Sequence, residues 1–177
     1  MSGISSTQTR PLIVGFTGHR RVEDEVKTGQ ALRELIATLQ REVGREMIGR
    51  SSVASGGDTL FAEACAAAGM KWIALLPFSE AEFKKDFNDG EWKRAKALLD
   101  RAERVEVSSD KAERPGGYLH CGIATVDGAD VMIALWNGLP SRGQGGTAEI
   151  VAHARAVQKP LIVISSDSLA VQREGWV

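Results

Sequence analysis

The chain has 177 residues with 43% hydrophobic and 25% charged side chains and a formal net charge of −1, which suits one soluble domain with a sizeable core. Acids and bases are interspersed, which excludes a broad basic face for double-stranded DNA but leaves room for a small anion held by a few local donors. No apolar run approaches the roughly 20 residues of a membrane helix, and MSGISSTQTRP lacks the apolar core of a signal peptide.

Residues 1–10 read as a flexible polar arm. PLIVGFTG (Pro11 to Gly18) is a short apolar run ending in glycine, the first strand. Leu32, Leu35, Ile36, Leu39 and Val43 then recur at the spacing of one buried helical face. SSVASGG (Ser51 to Gly57) reads as a short second strand, and TLFAEACAAAG as a helix with Thr59 at its N-cap and Gly69 as its stop. KWIALLPF is a third strand, apolar throughout like a parallel strand covered on both faces. Ser79 to Arg101 reads as two helical pieces broken near NDG (Asn88 to Gly90). Its Phe83, Phe87 and Trp92 suit either a cover for the sheet or a self-association surface. RVEVSS (Arg104 to Ser109) is a weaker strand, RPGG (Arg114 to Gly117) a loop, YLHCGIATVDGA a modest helix and DVMIALWNG the fifth strand. The loop SRGQGGTAE enters the helix IVAHARAVQ, and KPLIVISS is the sixth strand. The segment 167–177 shows no clear pattern and is set apart as a C-terminal tail. The alternation predicts an α/β chain with a single doubly wound, Rossmann-like domain over residues 11–166, its mostly parallel sheet covered by helices on both faces. Cys65 and Cys121 lie far apart without metal spacing, so buried reduced thiols and a cytoplasmic location are expected.

Such sheets bind ligands beyond the carboxyl ends of their strands. Gly18, His19 and Arg20 follow the first strand, and Ser55, Gly56, Gly57 and Asp58 follow the second. Phe78 ends the third, and Trp136, Gly145, Gly146, Thr147 and Glu149 lie at or after the end of the fifth. Two of these junctions are glycine pairs running into a helix, where bare amides favour an anion. Neither is a Walker loop, and GFTGHR is not the dinucleotide fingerprint. The reading is a phosphate cradle shared by SGGDT and GQGGT; the competing reading is turn geometry alone. Arg20 would clamp the phosphate and His19 donate to it, unless both belong to a solvated loop. Asp58 and Glu149 would receive ribose hydroxyls or simply favour helix starts, with Glu149 the candidate catalytic acid. Trp136 and Phe78 would stack on a base or pack in the core. His120 and His153 read as structural; no metal and no cofactor are expected.

GFTGHR, ASGGDTLFAEAC, IALLPF, ADVMIALWNG and GGTAE occur in the order seen in the SLOG superfamily, which includes the LOG cytokinin-activating hydrolases, the DprA proteins and the small YpsA-like proteins. From Pro11 to Ser165 the chain most resembles the YpsA-like branch. The resemblance implies a nucleotide or nucleotide-derived ligand, sensed or bound without assured turnover, at Gly18 to Arg20, Gly56 to Asp58 and Gly145 to Thr147 with Glu149. It also implies a homo-oligomer. The chain departs from the LOG pattern PGGxGTxxE, whose glutamate lies three residues after the threonine: Ile150 stands there, and Glu149 is one position, about 100° of helix, earlier. The Arg-Lys pair of those enzymes is absent from YLHCGIATVDGA. GTAEIVAHARAVQKPLIVI is also similar to the end of the nucleoside deoxyribosyltransferases. N-glycosidic hydrolysis or transfer on nucleoside monophosphates is the rival reading, and a single-stranded DNA-binding module of DprA type the third, with near-neutral charge against it.

Overall fold

Short apolar runs bounded by glycine and polar residues make one seven-stranded sheet. In the computed structural model, which describes residues 10–109, 114 and 116–176, six strands run parallel: β1 (Leu12–Gly18), β2 (Met47–Ser51), β3 (Lys71–Leu76), β4 (Arg104–Val107), β5 (Val131–Trp136) and β6 (Leu161–Ser165). A seventh, β7 (Val171–Glu174), pairs antiparallel with β6. Their order is β4-β3-β2-β1-β5-β6-β7. The chain winds outward from β1 to β4, then returns to place β5 on the other side of β1. The switch point is therefore the β1/β5 edge, where a crevice opens beyond the strand ends.

Helices α1 (Glu25–Val43), α2 (Gly57–Ala67) and α4 (Asp89–Leu99) cover one face; their buried Leu32, Leu39, Phe61 and Leu98 join Val14, Phe16 and Ile133 in the larger core. Phe16 and Phe61 stack with ring centroids 4.7 Å apart. Helices α5 (Gly116–Asp127) and α6 (Thr147–Ala156) cover the other face, where Val126, Met132, Ile150 and Leu161 form a second cluster. Between β3 and α4 lie the four-residue α3 (Glu80–Phe83) and a 3-10 turn. Phe83 is fully buried and meets Phe87 edge-on, and Phe87 meets Trp92, so this aromatic segment covers the sheet. Asn88 caps α4 through a reciprocal bond with Glu91, which accounts for the break at NDG. Both cysteines are buried and free. Among the described residues no helix is long and apolar enough to cross a membrane.

Several boundaries differ from the sequence reading. The second strand is Met47–Ser51, and most of SSVASGG forms the loop after it. Gly49 and Arg50 disguise this strand. A Cβ on Gly49 would sit 3.0 Å from the Cys65 sulfur and 3.1 Å from the Phe61 ring, so glycine there admits α2. Arg50 reaches the opposite face and pairs with Glu106 at 3.3 Å. Thr59 is no N-cap: α2 starts at Gly57, and Thr59 Oγ1 donates back to the Ala54 carbonyl at 2.7 Å. Helix α5 begins at Gly116, inside the stretch expected to be loop. The segment set apart as a tail contributes β7. All but the last residue of the expected N-terminal arm lies outside the described residues, and that last residue, Arg10, pairs with Asp130 at 2.6 Å.

Candidate functional site

Beyond its last pairing with β5, Gly18 opposite Leu135, β1 gives up its ladder. The His19 N–H still reaches the Leu135 carbonyl at 3.3 Å, and the His19 ring bridges the two strand ends. Its Nε2 accepts from the Asn137 N–H at 3.0 Å, so that nitrogen carries no proton and cannot donate to a phosphate.

The first glycine junction is shaped by the protein itself. Gly56 has φ 87° and ψ −126°, a region restricted to glycine, and a Cβ there would lie 2.3 Å from the Arg20 carbonyl oxygen. The Gly57 N–H donates to the His19 carbonyl at 2.9 Å, and the Thr59 N–H to Ala54 at 3.1 Å. These two amides are therefore engaged within the protein and are not donors for the expected shared cradle. Close approach was the right physical reason for the glycines, but what approaches is the backbone after β1.

The second junction is different. The Glu149 carboxylate turns back to accept the Gly145 N–H at 2.6 Å, tying down the loop before α6. The next three amides, of Gly146, Thr147 and Ala148, make no hydrogen bond among the described residues and open the positive end of a ten-residue helix. Ile150, not Glu149, lines the cavity in front of them. Replacing Glu149 by alanine is expected to lower stability by about 1–3 kcal/mol in urea denaturation, because the part-buried Gly145 N–H loses its acceptor.

That cavity, about 450 Å³, lies beyond the ends of β1 and β2 and is roofed by α5 and the loop from Arg142 to Gly146. Asp58, 9% exposed, is on its wall. Its carboxylate accepts from the Ser52 hydroxyl and from the backbone at Ala54 and Ser52, yet burial pushes its pKa up to about 6 against the opposing pull of these bonds and of Arg20. Tyr118, near the start of α5, lies under Arg20, whose guanidinium carbon is 4.3 Å from the ring centroid. The Tyr118 hydroxyl donates to Asp86, which Arg114 holds at 2.7 Å; burial first, then this bond, raises the phenol to about 12.

Gly18, His19, Arg20, Asp58, Gly145, Gly146 and Thr147 thus meet at one cavity. Ser55, Gly56 and Gly57 do not line it. Phe78 is 3% exposed, edge-on to Tyr118 with centroids 5.3 Å apart, and lines no part of the cavity. Trp136 donates from Nε1 to the Leu139 carbonyl at 2.9 Å and carries Arg155 over its ring at 5.6 Å, also away from the cavity. The stacking role expected of these two is not supported by their positions; Tyr118, with Arg20 over one face, is the tyrosine ring that lines the cavity. Sequence reasoning passed over Tyr118, whose signal was an aromatic in the first turn of a helix after RPGG, and Ser52, hidden by the misplaced second strand.

No protein-family model and no curated protein sequence matches the chain. Solved structures do. DNA processing protein A from Helicobacter pylori is similar over 91% of this chain and 68% of its own, with 23% identity and a TM-score of 0.63. DprA from Streptococcus pneumoniae is similar over 86% of this chain and 50% of its own, with 16% identity and a TM-score of 0.64. The molybdenum cofactor carrier protein from Chlamydomonas reinhardtii matches over 87% of this chain and 76% of its own, with 18% identity and a TM-score of 0.53. At these identities the likeness shows the fold alone, a Rossmann-like α/β domain.

Proposed function

We propose that the cleft binds a nucleotide or nucleotide-derived phosphate and that the domain acts by binding or sensing it without turnover. One observation carries this reading: the helix position that faces the cavity is Ile150, while the neighbouring carboxylate of Glu149 is bonded to the Gly145 N–H. An N-glycosidase needs an acid at the sugar; the Gly145 N–H holds Glu149 away from it, and Asp58, the carboxyl that does line the cavity, is assigned to the ribose hydroxyls. The phosphate rests on the amides of Gly146, Thr147 and Ala148 with Arg142 and Arg20 beside it. Asp58 receives ribose hydroxyls, and Tyr118 offers its ring to the base. A buried carboxylate that opposes its own ionisation is a functional-site signature. The H. pylori DprA binds single-stranded DNA, a phosphate polymer, on the same fold, which supports an anionic ligand class.

Calorimetry against nucleoside mono-, di- and cyclic phosphates tests this. Binding is expected, weakened roughly 10- to 100-fold in Arg142→Ala, the equivalent of losing a charge-assisted hydrogen bond of about 1.5–3 kcal/mol. A folded protein that binds none of them contradicts the reading, and free base released by the wild type restores the glycosidase.

A further inference from the structure

A second cavity, about 520 Å³, adjoins the first. Each alone falls in the range of about 300–1,000 Å³ that takes a small organic ligand. The residues that line both are His19, Arg20, Arg142, Gly146 and Thr147, so the boundary carries the phosphate-binding groups of the proposed site. The two chambers differ in character. The first offers the Tyr118 ring and the Asp58 carboxylate. The second adds Arg21, the carboxylates of Glu23 and Asp167, which can receive ribose hydroxyls, and an apolar rim of Val22, Leu139 and Pro140, with Leu139 60% exposed at its mouth. In its wall the buried Ser141 hydroxyl has no hydrogen-bond partner among the described residues. Arg20, Arg21 and Arg142 form no salt bridge among the described residues, whereas Arg94, Arg114, Arg155 and Arg173 each hold a carboxylate.

A mononucleotide with its phosphate on the shared wall fills one chamber and leaves Arg21 and the apolar rim of the other without a partner. From this geometry we infer that the ligand has two arms: a dinucleotide-type molecule whose phosphate linker lies on the shared wall. One nucleoside sits against Tyr118 and Asp58, and the other enters the chamber of Leu139 and Pro140. This rests on the phosphate-binding reading above and narrows it to a ligand class.

Calorimetry at fixed salt should compare AMP and GMP with diadenosine and diguanosine diphosphates. At least one diphosphate is expected to bind ten-fold or more tightly than its mononucleotide, and Leu139→Asp to shrink that advantage. Equal affinities overturn the two-armed ligand and leave the nucleotide reading standing. An advantage untouched by Leu139→Asp overturns the placement of the second arm. Absence of binding by all four overturns both readings.

Discussion

Gly56→Ala is expected to destabilise the domain by roughly 3–5 kcal/mol, the largest effect of any glycine substitution at the site. Two independent causes add. The backbone at φ 87° and ψ −126° is strained for any residue with a Cβ, and that Cβ would lie 2.3 Å from the Arg20 carbonyl oxygen and 2.5 Å from that of His19. Both obstacles are backbone, so no side chain can swing away. Gly44→Ala is the control: it shares a positive φ of 62° but has nothing within 4 Å of the new Cβ. It should lose only the conformational part, about 1 kcal/mol. Urea denaturation of both variants tests this, and equal losses would refute the packing of the α2 start against the β1 loop. Because Gly56 braces the backbone of Arg20, ligand affinity should fall with stability in Gly56→Ala and not in Gly44→Ala.

Asp58→Asn should have the opposite sign. The Asp58 pKa is about 6 in the folded protein against 3.8 for an exposed aspartate, so ionisation is disfavoured by folding. Below about pH 3 the carboxyl is protonated in both states and no penalty exists. As pH rises through 6 the folded state must ionise a buried group, and stability is lost. The shift of about two units corresponds to at most about 3 kcal/mol at pH 8. Asparagine removes the charge and keeps one accepting oxygen for the Ser52 hydroxyl, while its NH2 cannot accept the backbone bonds, a cost that does not vary with pH. The variant should therefore gain on the wild type as pH rises from about 3 to 8, by up to about 3 kcal/mol or roughly 5–10 °C in melting temperature. Wild-type and variant curves that stay parallel from pH 4 to pH 8 would show that Asp58 ionises freely. A residue that lowers stability at neutral pH and lines the cleft fits a role in the ligand's polar contacts.

The sheet was legible because β1, β3, β5 and β6 are short apolar runs that end in glycine or polar residues, and their alternation with helices leaves few topologies. Strand β2 was not, because Gly49 replaces a large side chain to admit α2 and Arg50 carries a charge under α5. The glycine pairs announced close approach, but a sequence does not say what approaches: at Gly56 it is the protein's own carbonyls. The one-residue offset of Glu149 was legible as a rotation of about 100°, and the carboxylate indeed turns to Gly145. Phe78 and Trp136 stand at the correct strand ends, yet Phe78 is held in the core by Tyr118 and Gly117, and Trp136 packs toward Arg155. Tyr118 reaches the cleft only through the packing of α5, a tertiary fact no local pattern encodes.

The most direct measurement is the backbone amide spectrum of the protein titrated with a nucleotide it binds. Gly146, Thr147 and Ala148 should shift most, while the Gly57 and Thr59 amides, already bonded to carbonyls of the chain, stay near their free positions. Largest shifts at Gly56 to Thr59, or shifts confined to surfaces away from the β1/β5 edge, would contradict an anion site at the start of α6.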